Sequence, residues 1–313
     1  MEYNAGMRID ALQAFMAVAE LESFQDAGQR LHLSQPAISK RIAALEAELE
    51  HRLFDRVGRK VGLTEAGRAY LPHARETLAA LADGERALDN LADRVAGTLE
   101  LAVSHHVGMH RMPEVLRAFI ARYPNVAPQI EFADSEHACQ RVLNGESELA
   151  LITLPVAAHP TLIARTIWPD PLAIYAGRTH ALARRATVTF AELAAHAAVL
   201  PPPDSYTHRI IESALAAHGV TVTARMTSHS LETLRMLADV GLGWTVLPTA
   251  MPHPLTPLAL PPLAMRRELG VMRHPQRHLS NAARALLAML DAEARSSGSN
   301  LSNQDRNHVK ADG

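Results

Sequence analysis

Apolar residues recur at helical spacing as far as residue 95, and then strand and helix signals alternate. Leu12, Phe15, Met16 and Ala19 share one face, and Phe24, Ala27, Gly28 and Leu31 share another. After the turn His32-Leu33-Ser34, a third stripe follows with Ile38, Ile42, Leu45 and Leu49. Ser34 is a favoured N-cap, which puts Gln35 and Pro36 in the first turn, where proline's missing N–H removes no helical bond. An ordinary surface helix would carry Glu/Lys pairs outside. This one instead offers Gln35, Ser39, Lys40 and Arg41. The pattern predicts a helix-turn-helix whose second helix lays its N-terminal half in a DNA major groove. Gly28 costs roughly 1 kcal/mol against alanine in a helix, and one reason to keep it would be close approach of another helix there.

The run H-R-L-F-D-R-V-G-R-K-V-G-L-T-E-A-G at 51–67 predicts a small two-stranded wing. Leu53, Phe54, Val61 and Leu63 would pack inward, leaving Arg56, Arg59 and Lys60 for phosphates or the minor groove. A further helix over 69–95 spaces Ala74, Leu78, Leu81, Leu88, Ala92 and Val95 by alternating fours and threes, with Glu85 as the one polar member. This seam could pack on its own chain or form a dimer coiled coil. The dimer is favoured, because a single reading head contacts only one half-site.

From Thr98 the order is β-α-β-α-β, with strands ending at Ser104, near Asp134 and at Thr153. The chain then crosses near 167–171 into a second lobe, returns over 267–272, and closes with a helix near 279–293. In such sheets, ligands lie beyond the carboxyl ends of strands, where helix N-termini present free N–H groups. The expected lining is Ser104, Ser135, Thr153, Ser205, Tyr206, Thr207 and Thr245, with His105 beside it. Converging hydroxyls and helix N-termini suit a small anionic or polar metabolite.

The composition narrows the choice. Hydrophobic residues make up 48 % of the 313 residues and charged residues 20 %, a normal globular mix. Aromatics at 4 % speak against base stacking as a mode of binding. A net charge of −2 confines any nucleic-acid site to a local patch. Cys139 is the only cysteine, so no intrachain disulfide or cysteine zinc cluster is expected, and a buried place in a helix is. His105, His106 and His110 lack matching carboxylate or cysteine spacing, so no metal is expected. The N-terminus has no signal-peptide pattern and no apolar run is long enough to span a bilayer, which predicts a cytoplasmic location and no membrane partner.

The string F-M-A-V-A-E-L-E-S-F-Q-D-A-G-Q-R-L-H-L-S-Q-P-A-I-S-K-R-I-A-A-L-E-A-E-L, followed by L-F-D-R and L-T-E-A-G, resembles the DNA-binding domain of LysR-type transcriptional regulators. That resemblance implies a multi-domain α+β chain. It would comprise a winged helix-turn-helix at 7–68, a linker helix at 69–95 and a two-lobed α/β effector domain at 98–293, similar to periplasmic solute-binding proteins. Lobe 1 would take 98–166 and 270–293 and lobe 2 would take 167–269, while the polar composition of 294–313 predicts a disordered tail. It further implies that Gln35, Pro36, Ser39 and Lys40 approach bases and phosphates, supported by Arg56 and Arg59. The implied partners are double-stranded promoter DNA, a second copy through the linker helix, a homotetramer, and RNA polymerase. No cofactor is implied, only a small-molecule effector. Two positions depart from the family pattern: Gly28 where alanine is usual, and Glu50 where a helix-ending glycine is usual.

The rival class is an α/β ligand-binding protein or enzyme in which the helix-turn-helix is only an interaction module. The sequence has no G-x-S-x-G, no Walker-type phosphate loop, and no G-x-G-x-x-G between a strand and a helix. A regulator without enzymatic activity is therefore the expectation.

Overall fold

The structure, a computed structural model, describes residues 5–57, 60–92 and 94–308, with side chains described for 9–55, 61–92 and 94–295. The chain divides into two compact units, 1–91 and 92–313.

In the first unit, helices α1 (Ala5–Leu21), α2 (Phe24–Arg30) and α3 (Gln35–Leu49) precede strands β1 (Phe54–Val57) and β2 (Lys60–Leu63) and helix α4 (Glu65–Asp89). The apolar stripes meet around Phe15, whose ring lies 5.4 Å from that of Phe54 and 5.6 Å from that of Tyr70. The L-T-E-A-G motif acquires a physical reason here. Thr64 caps α4 by accepting from Gly67 N–H at 2.9 Å, and its hydroxyl donates to Arg52 O at 2.6 Å. A Cβ on Gly67 would lie 2.1 Å from Leu53 O, so only glycine lets α4 close on the wing.

Helix α4 departs from the expected 69–95. It starts at Glu65, because Thr64 supplies the cap, and it ends at Asp89, beside Asn90. Both residues are weak helix formers. Its seam also divides. Tyr70, Leu71, Ala74 and Leu78 pack on the unit's own core, whereas Leu81, Leu88 and Leu91 are exposed. Ala92 and Val95 lie beyond the helix, and Val95 packs into the second unit.

The second unit opens with β3 (Gly97–Ser104), α5 (His105–His110), α6 (Met112–Arg122), β4 (Val126–Ala133), α7 (Ser135–Asn144) and β5 (Leu149–Thr153). Strand β3 is the parallel neighbour of both β4 and β5. Its Leu99, Leu101 and Val103 face one core and Ala102 another, so the strand is covered on both sides. Strand β6 (Ile163–Ala176) then carries the chain into the second lobe, which holds a 3-10 turn (Ala181–Arg184), α8 (Phe190–Ala194), β7 (Ala198–Leu200), α9 (Tyr206–Ala216), β8 (Ala224–Thr227), α10 (Leu231–Asp239), β9 (Thr245–Pro248) and β10 (Thr256–Pro257). The return is β11 (Met265–Arg273), antiparallel to β6 along its whole length and to β5 at its far end. These two long strands join the lobes in one seven-stranded sheet, ordered β10-β6-β11-β5-β3-β4 with β9 on β6.

Helix α11 (Asn281–His308) closes the first lobe through Ala282, Ala283, Leu286 and Leu290. It runs well past residue 293, where disorder was expected. A helix already nucleated on a packed stem adds residues far more readily than it starts, and the polar composition alone does not stop it. No helix among the described residues is long and apolar enough to cross a membrane.

Candidate functional site

The first candidate surface is the start of α3. Ser34 is extended (φ −73°, ψ 149°) and its Oγ accepts from Ala37 N–H at 3.4 Å, so the helix begins where the sequence places it. Ile38, Ile42 and Leu45 are buried, while Ser34, Gln35, Pro36 and Lys40 are exposed and Ser39 is half-buried. The Arg41 guanidinium reaches back to Asp10 Oδ2 at 2.8 Å, bracing α3 on α1. Glu46 Oε1 accepts from the N–H groups of Leu53 (2.7 Å) and Phe54 (3.2 Å), which ties the first wing strand to this helix. The wing itself forms, with Val57 opposite Lys60. Arg59 lies outside the described residues, as do the side chains of Arg56 and Lys60.

The two sequence departures also resolve. Glu50 takes the left-handed conformation (φ 56°, ψ 22°) that a glycine would adopt freely, and its N–H bonds Glu46 O. At Gly28 the close neighbour is the turn rather than a helix. A Cβ there would stand 2.7 Å from Leu33 O, and Leu33 N–H donates to Gly28 O at 2.8 Å.

The second candidate site lies between the lobes of the second unit, a cavity of about 50 Å³. Of the expected residues, Ser104, His105, Ser135, Thr153, Ser205 and Thr207 line it. The N-terminal residues of α5, α7 and α9 thus converge, as strand ends and helix starts require. Ser104 occupies an N-cap position yet makes no cap bond, and its buried Oγ has no partner among the described residues. Ser135 Oγ is already engaged, accepting from Thr153 N–H at 3.1 Å.

Tyr206 and Thr245 are corrections, since neither lines the cavity. Tyr206 turns its ring toward α7 and Cys139, and burial pushes its hydroxyl pKa up. Thr245 sits on the internal strand β9, sealed from solvent. Cys139 is buried, as expected, and burial pushes its thiol up.

Several residues of this site escaped the sequence reading. Arg267 lines the cavity, 3 % exposed, with Nε donating to Asp170 Oδ2 at 2.6 Å and Nη1 to Thr207 Oγ1 at 3.4 Å. Arg111 approaches the other carboxylate oxygen at 3.7 Å. His106 Nε2 lies 3.8 Å from Asp170, but burial first, then Arg267, His110 and Arg111, lower its pKa from 6.5 to about 2. It is neutral, so this contact is no ion pair. Glu136 also lines the cavity, its Oε1 accepting from Tyr206 N–H, and burial raises its carboxyl pKa. A signal existed for the charged pair. Met265-x-Arg267-x-Leu269 and Trp168-x-Asp170-x-Leu172 each put one charge on the inward face of an alternating strand. No group of three or more His, Cys, Asp or Glu among the described residues is placed to hold a metal ion.

Two family models match the chain in this arrangement. Residues 9–68 match the bacterial regulatory helix-turn-helix protein of the lysR family, and residues 92–295 match the LysR substrate binding domain. The chain belongs to the LysR family of transcriptional regulators. It is 30 % identical to the HTH-type transcriptional regulator CbbR of Rhodospirillum rubrum over 93 % of this chain and 98 % of that one. An uncharacterized HTH-type transcriptional regulator of Azotobacter vinelandii is 62 % identical over 34 % of this chain and 74 % of its own length. Among solved structures, that of CbnR, a LysR family transcriptional regulator, covers 92 % of this chain and 98 % of its own, with a TM-score of 0.62 and 21 % identity. Full-length CbnR complexed with its target DNA gives a TM-score of 0.61 at 22 % identity, covering 92 % of this chain and 99 % of its own. As a LysR-type protein the chain is a DNA-binding transcriptional regulator with a ligand-type domain, in a family of regulators and not of enzymes.

Proposed function

We propose that this LysR-type regulator reads promoter DNA through Gln35, Pro36, Ser39 and Lys40, with Ser34 holding the helix start. Arg56, Arg59 and Lys60 are assigned to the phosphates. A small polar or anionic effector held between the lobes modulates this binding. The observation that carries the effector assignment is Ser104, an N-cap hydroxyl that caps nothing and is buried without a partner where the lobes meet. A buried hydroxyl in that position is poised for a ligand.

The exposed Leu81, Leu88 and Leu91 on and just after α4 support pairing with a second copy, and two such dimers would make a tetramer on promoter DNA. Each reading head then takes one half-site. An effector that favours one lobe arrangement shifts head spacing with a coupling of roughly 1–3 kcal/mol, enough to change occupancy severalfold. The site of action is the cytoplasm, and contact with RNA polymerase is the route to transcription.

Gel-shift titration tests the reading surface. Gln35→Ala is expected to lose about 1–3 kcal/mol of specific binding per base contact removed. A Gln35→Ala protein that binds the promoter like wild type removes this assignment. Ligand-induced melting shifts across a metabolite panel, repeated in Ser104→Ala, test the cleft.

A further inference from the structure

The lining of the inter-lobe cavity combines a buried guanidinium with carboxylates. Arg267 Nη2 and Ser104 Oγ are sealed from solvent and have no hydrogen-bond partner among the described residues. Behind them, the single carboxylate of Asp170 faces two guanidinium groups, Arg267 at 2.6 Å and Arg111 at 3.7 Å. Glu232 adds a second carboxylate to the field of Arg267, so what is left unanswered here is a guanidinium N–H and a hydroxyl. Arginine does not give up its proton, and a buried guanidinium N–H without an acceptor is costly. An anion accepting from Arg267 and Ser104 removes that cost.

Beside Ser104, whose strand partner Ala133 leads into α7, Glu136 lines the cavity with Asp134 just before it. Asp134 Oδ1 is engaged as the helix cap, accepting from His137 N–H at 2.7 Å. Glu136 is held by Tyr206 N–H through one oxygen. These carboxylates repel a second anionic group and accept from a donor. The cavity of about 50 Å³ leaves room for roughly three to five water-sized groups, so the charged end and the donor end of a ligand must be close neighbours.

We propose that the cleft takes a small monocarboxylate bearing a hydroxyl or ammonium group on the adjacent carbon, its carboxylate on Arg267 and Ser104 and its donor toward Glu136. This rests on the reading of the cleft as the effector site and narrows the effector to a chemical class. Dicarboxylates of the same size are rejected by Glu136, and uncharged amides offer Arg267 only a neutral acceptor, a weaker partner than a carboxylate.

Calorimetry and thermal shift on the full-length protein test this with four probes of similar size: glycolate, glycine, glycolamide and oxalate. Glycolate or glycine is expected to bind and raise the melting temperature, with glycolamide and oxalate each weaker by about tenfold or more. Ser104→Ala should weaken the preferred probe by about tenfold, and Glu136→Gln should restore oxalate. Failure of both glycolate and glycine to bind overturns the proposal, as does equal binding of glycolamide. Oxalate that binds as well as glycolate in both wild type and Glu136→Gln also overturns it. If glycolamide or oxalate binds and Ser104→Ala abolishes that binding, the class is wrong while the cleft remains the effector site. If neither variant affects the binding of any probe, the reading of the cleft itself falls.

Discussion

Arg267 Nε lies 2.6 Å from Asp170 Oδ2, and the two residues face each other in the register of the strands that join the lobes. They are 3 % and 1 % exposed. A buried pair contributes little over a well-packed apolar substitute, but removing one partner strands the other charge. Asp170→Asn should therefore lower stability by about 3–5 kcal/mol in urea titration, while Asp170→Leu with Arg267→Met should recover most of the loss. A single Asp170→Asn variant with an unchanged urea midpoint would show that the pair is not desolvated.

His106 makes stability depend on pH. Burial is the largest cause of its lowered pKa, from 6.5 to about 2. The unfolded chain takes up this proton near pH 6.5 and the folded chain does not. The folded state accordingly loses stability as pH falls from 6.5 toward about 2, by up to about 1.4 kcal/mol per pH unit, and the effect is flat above that window. His180 and His253, also lowered mainly by burial, act with the same sign, and Glu136, raised by burial, acts with the opposite one. Comparing wild type with His106→Asn isolates the His106 contribution. Denaturation midpoints of the variant should fall less steeply between pH 6.5 and about 5. Parallel slopes would mean that His106 is protonated in the fold.

Glu50 ends the recognition helix with φ 56°, a conformation that costs an L-residue roughly 1–2 kcal/mol. Glu50→Gly removes that strain and loses a few tenths to unfolded-chain entropy. Thermal unfolding of the full chain should show a gain of about 1 kcal/mol, and a lower melting temperature would contradict the assigned cap.

Gly28→Ala sets two effects against each other. Alanine gains about 1 kcal/mol in helix propensity, but its Cβ would meet Leu33 O at 2.7 Å. The obstacle is backbone in the turn before Ser34, so the clash should win by about 1–3 kcal/mol. Displacing that turn also tilts α3. Anisotropy competition should therefore show specific promoter affinity falling more than affinity for unrelated DNA; an equal loss on both would place the effect in stability alone.

Sequence legibility follows the range of the interactions involved. The helix-turn-helix was legible because its signals are local: the spacing of Ile38, Ile42 and Leu45, the Ser34 cap, and Pro36 in the first turn. The cleft hydroxyls of Ser104, Ser135 and Ser205 were legible because strand ends and helix caps are also written locally. Tyr206 was misread because its position at the start of α9 is locally written, whereas its ring turns to Cys139 on another helix. The linker seam was read as continuous, yet its first half already has a partner in the unit's own core and only its second half is left exposed.

By itself, then, the sequence determined the element types, the recognition helix and its start, the two-lobed alternation and the family, because each rests on residues within a turn or a strand of one another. Only the tertiary structure decided which polar groups share a site. Asp170 and Arg267 stand 97 residues apart and meet through strand register. Strand alternation marks each of the two charges as inward-facing, but only long-range packing brings the pair into one cavity with Glu136.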